Sequence, residues 1–533
     1  MTNTKIEEIK PKKISIINAA FLLMTATFIG QLLGFLRTKL VNANFPITGP
    51  HGTDAYFAAF NVPDFFFFTL SAGVVGVAVM PILSDRLSKV GVKHMWELVS
   101  SLLNFLSLIM LFVAIIILIF ADQLIRYVVA PHLPAAEMHT AATILRLLAF
   151  NPFLFTISGL LTAAQQSLGR FFFYAITPII YNLSIILSIF VFRFNLGLVG
   201  LGVGAVIGAV LQLLIVSIGL IKTNFSWTPK IMYKHADFKA VLRNLPPRSL
   251  DQGMDQLEDI VETHIASGIS SGAISYFNNA YILSTAPILL LGTAISTAAF
   301  PRLNRSLSEG KPDEFRADFR RILLILIWIS APVVIISYFT RGYLARIIFS
   351  RGNEQISLIF GFLCIAIFFR ILYSMISRWF YSNKDTITPL IVSIFTIFLN
   401  IVLAVYLSKS SRYGVAGLAI AQSIVAFIEV LVLGSIMTYR DRKIFDMKFL
   451  RNLIKIGSVC GFTLVAGYLM ISLYPLESKD KGFFQLGIRL SAIALTTLAV
   501  HLLISRALEL EEAYPVFNRV KRFIIRPIRI EEL

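Results

Sequence analysis

The stretch WELVSSLLNFLSLIMLFVAIIILIFA, residues 96–121, decides what kind of molecule this is. After Glu97 it holds no charged residue, and after Ser107 no polar one. A helix needs about 20 mostly apolar residues to cross a hydrocarbon layer of about 30 Å. One that is apolar all round must be buried in protein or in lipid. Comparable runs lie near 14–36, 54–84, 137–165, 172–194, 199–221, 248–270, 273–301, 320–340, 355–382, 386–408, 414–438, 450–474 and 483–506. Polar residues interrupt those at 54–84, 137–165 and 248–270. About fourteen membrane-spanning helices are expected, in an all-α polytopic membrane protein.

Composition agrees. Of 533 residues, 56% are hydrophobic and 15% charged, and the mean hydropathy is +0.77. A soluble domain is about 45–50% apolar and about 25% charged, so a soluble enzyme, a disordered tail and a secreted disulfide scaffold are excluded. The two cysteines, Cys364 and Cys460, sit inside apolar runs and read as small buried hydrophobes. The first apolar run is too long for a signal-peptide h-region and lacks a small-residue cleavage site, so no cleavable signal is expected.

The formal charge of +18 could suggest nucleic acid, but its distribution follows the loops. With the N-terminus inside, the inner segments hold most of the 48 Lys and Arg. The positive-inside rule then places both termini in the cytoplasm of a multi-pass membrane protein. No nucleic-acid partner is expected.

A weak self-similarity runs through the chain at an offset of roughly 210–220 residues. Met80-Pro81-Ile82-Leu83-Ser84 answers Phe300-Pro301-Arg302-Leu303-Asn304, Thr177-Pro178 answers Thr388-Pro389, and Gly200-Leu201 answers Gly417-Leu418. The expected organisation is a basic cytoplasmic segment 1–13, a six-helix lobe 14–221, a basic cytoplasmic linker 222–247, a second six-helix lobe 248–438, two further helices 439–506 and a basic tail 507–533. Parallel repeats of this kind characterise transporters that expose a central site alternately to each side. No ligand-spaced His partners and no GxxxxGK[ST] loop are present, so neither catalysis nor direct ATP drive is expected. No cofactor is expected beyond a coupling cation, Na+ or H+; a metal site is left unknown.

Ionisable side chains inside a span cost roughly 2.5–3.5 kcal/mol on insertion scales and normally face a cavity or a partner. Arg37, Asp54, Asp64, Arg146, Arg370, Arg378 and Glu429 are such residues. The seventh run adds Asp251, Asp255, Glu258, Asp259 and Glu262, the last four on one helical face. That face lines a water-filled cavity or forms a solvated interfacial stripe; the cavity is favoured for Asp259 and Glu262. Arg37 either contacts an anionic headgroup or snorkels to the interface with Lys39. The Phe65–Phe68 run reads as packing or lipid contact before it reads as a groove.

Gly34-Phe35-Leu36-Arg37, then Thr53-Asp54-Ala55-Tyr56-Phe57-Ala58-Ala59-Phe60 and Pro63, resemble the opening of the MviN/MurJ family of lipid II flippases. Gly272-Ala273-Ile274-Ser275-Tyr276 and Phe300-Pro301-Arg302-Leu303 resemble its eighth span. Phe380-Tyr381-Ser382-Asn383-Lys384-Asp385-Thr386-Ile387-Thr388-Pro389, with Asn400 and Gly417-Leu418 after it, is similar to its FYAxxDTxTP segment. The resemblance covers nearly the whole chain and brings kinship with MATE-like exporters. It implies alternating-access transfer of an undecaprenyl-diphosphate-linked peptidoglycan precursor, a cationic cavity for the headgroup, and a groove on the two last helices for the lipid tail.

Arg37 matches a family cavity arginine, whereas Gln31, Phe67, Phe68 and Ile282 stand where others would be, and Ala72 replaces a Glu. The expected headgroup residues are Arg37, Gln31, Asp54, Asp64 and Asn278; those for cation coupling are Glu262, Asp259 and Asp385. The partners implied are the lipid-linked substrate and membrane lipids, with the protein a monomer. The lost arginines leave a second cargo class open, another lipid-linked oligosaccharide or an amphipathic cation.

Overall fold

The computed structural model describes residues 16–69, 79–409, 411–477, 480 and 482–514, and among them every regular element is a helix. The chain parts into two compact units at Ser275 and Tyr276.

The first unit contains α1 (Ile16–Asn44), α2 (Asp54–Phe67), α3 (Met80–Val90), α4 (Val92–Gln123), α5 (Ala135–Leu148), α6 (Asn151–Ser167), α7 (Phe172–Phe192), α8 (Val199–Ile218) and α9 (Ala236–Ser267). Its tightest contact is the α7–α8 hairpin. Gly200, Gly204 and Gly208 recur every fourth residue on α8, so all three face α7. A methyl group on Gly204 would overlap the Ser188 side chain, and one on Gly208 would come within 3.0 Å of the Tyr181 ring. Ser184 Oγ donates to the Gly204 carbonyl at 2.8 Å. Without a hydrophobic drive between helices in lipid, small residues that let backbones approach supply the packing.

Several runs carry internal breaks. The fourth, 137–165, is two helices, α5 and α6, separated at Ala149 and Phe150. Pro152 lies in the first turn of α6, where its missing N–H costs least. After α4 comes a π-helical turn, Leu124–Val129.

The basic segment following α8 is held along α4. Trp96 Nε1 donates to Thr223 O at 2.9 Å, Asn104 Nδ2 to Thr228 O at 2.8 Å, and Ser101 Oγ accepts from Met232 N at 2.7 Å. Phe225 and Ile231 pack on the cluster around Trp96, Leu98 and Leu102. Arg86, 7% exposed, closes the strap by donating to His94 O at 2.7 Å and Asp237 Oδ2 at 2.5 Å. The acidic seventh run is the C-terminal part of α9, which starts at Ala236.

The second unit is entered within α10 (Ala273–Pro287) and continues through α11 (Ala294–Ser308), α12 (Pro312–Phe339), α13 (Arg341–Ile348), α14 (Asn353–Ser382), α15 (Ile387–Leu407), α16 (Ala416–Arg440), α17 (Met447–Leu473) and α18 (Phe483–Ala507). Pro287 is followed by a π-helical turn, Ile288–Thr293, a bulge of the kind that accommodates a residue unable to donate a backbone hydrogen bond. The α15–α16 hairpin repeats the device seen in α7–α8: Gly417 meets the Leu407 backbone so closely that no Cβ fits. The last two helices belong to this unit. Trp328 Nε1 on α12 donates to Ser505 Oγ on α18 at 2.9 Å, and Gly467 of α17 abuts Phe339.

Eleven helical segments among the described residues are long and apolar enough to cross a membrane. The runs at 14–36, 54–84 and 248–270 each take in residues or side chains outside the described ones and are not among the eleven. The second run includes residues 70–78, which lie outside the described residues, as does Ala72 with them.

Candidate functional site

Arg37 and Asp64 are brought together in the first unit. Tyr56, Phe60 and Asp64 follow one another at four-residue spacing on α2, and Phe67 lies three further on, so one face presents all four. Arg37 on α1 and Asp64 are charged neighbours of each other and of two phenols, Tyr56 and Tyr181. Tyr56 is 4% exposed. Around them runs an aromatic wall: Phe67 meets Phe155 edge-on at 5.3 Å, and Phe155 meets Tyr181 at 5.3 Å. Tyr56 and Phe60 have ring centroids 4.9 Å apart. Phe67 thus forms part of the niche's wall, and Phe65 to Phe68 are all half-buried. Gln31 is exposed on α1. This niche offers one guanidinium and two phenol groups as hydrogen-bond donors, one carboxylate acceptor, and ring faces for apolar contact.

On α9 the four carboxylates divide. Glu262 is 3% exposed and Glu258 9%, whereas Asp255 and Asp259 are exposed. The α9 turn that holds Glu262 faces α2, where Asn61 Nδ2 donates to Thr263 Oγ1 at 3.1 Å. The side chain of Asp251 lies outside the described residues.

Asp54 belongs to a separate cluster. It is 1% exposed, and its carboxylate receives Gly272 N and Ser275 N at 2.8 Å each and Ser275 Oγ at 2.6 Å. Asp54 thereby caps the start of α10, where free N–H groups need an acceptor. Thr53 Oγ1 adds a 2.7 Å hydrogen bond to Ser275 Oγ. A second carboxylate lies beside it that sequence reading missed: Glu137, in the first turn of α5 and 1% exposed. Among the described residues neither of its oxygens has a hydrogen-bond partner. Its sequence signal, an acid three residues after Pro134, reads only as the start of a helix.

In the second unit, Asn278 is half-buried on α10. Asp385 lies just before α15 and accepts from Ile387 N at 3.0 Å, Thr388 N at 2.9 Å, Thr388 Oγ1 at 2.6 Å and Arg440 Nη1 at 2.5 Å. Partial burial works against its charge, yet the Thr388 and Arg440 hydrogen bonds and the guanidinium charge prevail and bring its pKa down to about 2. Asp385 is thus the N-terminal cap of α15 and the ion partner of Arg440. Ser393 Oγ donates to Glu429 at 3.0 Å. Arg378 lies over the Phe300 ring at 5.1 Å and donates to Thr297 Oγ1 at 3.2 Å. Arg146, in the first unit, is paired with Asp122.

Comparison with known proteins places these features in a family context. Residues 51–484 match the family described as Lipid II flippase MurJ. A protein of Buchnera aphidicola subsp. Acyrthosiphon pisum named "Probable lipid II flippase MurJ" is 26% identical over 79% of this chain and 82% of its own length. One of Bdellovibrio bacteriovorus with the same name is 24% identical over 88% of this chain and 90% of its own. Among solved structures, a lipid II flippase MurJ in an inward closed conformation superposes with a TM-score of 0.76 at 21% identity, over 92% of this chain and 99% of that one. An inward-facing multidrug resistance MATE family transporter of the MOP superfamily gives 0.66 at 16% identity, over 83% and 98%.

Proposed function

Because the chain belongs to the lipid II flippase MurJ family, we propose that it moves lipid II from the inner to the outer leaflet of the cytoplasmic membrane by alternating access. The observation that carries this is a family match spanning residues 51–484. Physical chemistry agrees with it: a polar headgroup needs ionic and hydrogen-bonding side chains along its way through hydrocarbon, while its tail stays in lipid. The niche of Arg37, Asp64, Tyr56 and Tyr181 supplies such groups in the first unit. Arg37 is assigned to the anionic part of the headgroup, where a guanidinium binds two oxygens at once. Both termini are placed in the cytoplasm by the Lys and Arg of the inner loops.

Glu262 is the carboxylate assigned to a coupling cation, because it is buried on α9. Asp385 is already engaged by Arg440 and by the start of α15, so its part in coupling is limited to holding that junction.

The test is complementation of a bacterium depleted of its own lipid II flippase. The wild-type chain restores growth and surface exposure of lipid II, and Arg37→Ala abolishes both at normal expression. Growth supported by Arg37→Ala removes Arg37 from the headgroup site; no rescue by the wild type removes lipid II as cargo. Glu262→Gln is expected to weaken the dependence on cation or membrane potential, and an unchanged response takes coupling away from that residue.

A second reading rests on the aromatic wall. The family resemblance implies arginines where Phe67 and Phe68 stand, and Phe67 packs with Phe155 beside the niche. Ring faces suit sugars or an amphipathic cation better than they suit a diphosphate. Competition between lipid II and a non-phosphorylated amphiphile for the purified protein separates the two cargos.

A further inference from the structure

Three helices of the second unit change character at one level. On α12 the charged residues end at Arg321, and no Asp, Glu, Lys or Arg follows before Phe339. On α17 they end at Lys455, with none from Ile456 to Leu473. α18 passes Arg506 and is followed by a short turn, Glu511–Ala513, that folds back on α17. There Lys455 Nζ donates to Leu508 O at 2.9 Å, and Lys448 pairs with Glu511 at 2.8 Å. The step from charged to apolar turns marks the depth at which lipid headgroups meet hydrocarbon, on the side that the inner-loop Lys and Arg assign to the cytoplasm.

A cavity of about 270 Å³ lies at this level, between α12, the start of α17 and the Glu511–Ala513 turn. Leu324, Ile325 and Phe449 give it an apolar wall. Asn452 and six charged side chains, three of each sign, make up its polar part. Four of the six are matched with one another: Arg320 with Asp446 at 3.2 Å, and Lys448 with Glu511 at 2.8 Å.

Two are left over, one of each sign. Arg321 is exposed and has no ion pair or hydrogen bond among the described residues. Glu512 is 7% exposed. Among the described residues its Oε1 receives one long hydrogen bond, from Asn452 Nδ2 at 3.4 Å, and its Oε2 has no partner. A carboxylate shielded from water with so few donors is costly to keep ionised unless a positive charge joins it. Arg321 lines the same cavity without pairing with it.

The charges of the lining cancel, so a ligand with a large net charge gains little from it. A ligand with a cation and an anion a few bonds apart satisfies both unmatched groups. Against a buried carboxylate, a primary ammonium with three N–H donors is favoured over a quaternary one with none. Against a guanidinium, a phosphate offers two oxygens at once.

We propose that this cavity binds a phosphate-linked primary amine, the headgroup chemistry of phosphatidylethanolamine. The ammonium lies on Glu512 and the phosphate on Arg321, while Leu324, Ile325 and Phe449 adjoin the glycerol and the first acyl carbons. A lipid held there braces α12 against α17 and the turn after α18. This assignment does not depend on the cargo, which growth complementation reports separately.

Native mass spectrometry of the full-length protein released from detergent tests it, with added lipids of a single acyl composition. The wild type retains phosphatidylethanolamine about tenfold more tightly than phosphatidylcholine, with the singly and doubly N-methylated lipids in between. Glu512→Gln brings phosphatidylethanolamine down to the level of phosphatidylcholine and leaves the latter unchanged. Arg321→Gln weakens both by about threefold, because both carry the phosphate. Soluble O-phosphoethanolamine separates the two sources of this chemistry: displacement of the lipid at equal concentration assigns the site to the free headgroup, and displacement only in large excess assigns it to the lipid. A wild type that holds phosphatidylethanolamine and phosphatidylcholine alike overturns the site without recourse to any variant. A Glu512→Gln protein that keeps the wild-type preference overturns it equally.

Discussion

Two buried or half-buried acids at helix starts, one in each unit, meet opposite fates. Asp385 in the second unit is surrounded by donors: two backbone N–H groups, the Thr388 hydroxyl and Arg440. Asp54 in the first unit has its own donors from Gly272 and Ser275, but no cation among the described residues, and it has Glu137 for a neighbour. The difference is one guanidinium. Where it is present, a carboxylate is a structural cap with a settled charge; where it is absent, neutral donors alone hold the cap. An acidic residue in a membrane protein is therefore informative only through what surrounds it.

The comparison can be broken at several points. Asp54→Ala should have the largest effect, because it leaves the buried N–H groups of Gly272 and Ser275 without an acceptor. A loss of about 3 kcal/mol is expected, read as the largest fall in thermal unfolding midpoint among these variants in detergent. A fall no greater than that of Asp385→Ala would remove the distinction between a buried and a half-exposed cap.

Asp385→Ala should cost about 1 kcal/mol, the sum of a lost cap and a partly exposed ion pair. High salt should narrow the gap from the wild type, since the pair with Arg440 is screened. The pH dependence has a definite sign. The folded-state pKa of Asp385 lies near 2, below its ordinary value of 3.8. Its contribution is thus fully present above about pH 4 and lost as pH falls toward about 2. Acid titration of the unfolding midpoint should show this step in the wild type and not in Asp385→Ala.

Glu137→Gln should have the smallest effect on stability, within about 0.5 kcal/mol or slightly stabilising. It removes a charge that has no hydrogen-bond partner among the described residues, whereas Asp54→Ala removes one that has three. A large destabilisation by Glu137→Gln would mean that its carboxylate holds the fold together.

Much of the fold was legible because lipid imposes a one-dimensional rule. A span must be long and apolar, and its flanking Lys and Arg give it a direction. Eleven of the expected spans are helices of that kind among the described residues. Arg37, Asp64 and Glu262 could be singled out because charge in an apolar run needs a reason. That Arg37 and Asp64 share a niche with Tyr56 and Tyr181, and that Asp385 pairs with Arg440, could not be read from spacing. Each depends on elements far apart in the chain.

The order of residues by itself determined a helical protein of the membrane, its likeness to one transporter family, and which side chains are costly to place there. Hydropathy is additive along a segment, so it survives without knowledge of neighbours. Only the tertiary structure decided how the acids are partnered: Asp385 by the Arg440 guanidinium, 55 residues away, and Asp54 by the Gly272 backbone N–H, 218 residues away. Glu137, a routine helix-start residue in the sequence, gained its meaning from burial beside Asp54 and Gly52. Charge compensation is a property of pairs, and folding alone brings the members of such pairs together.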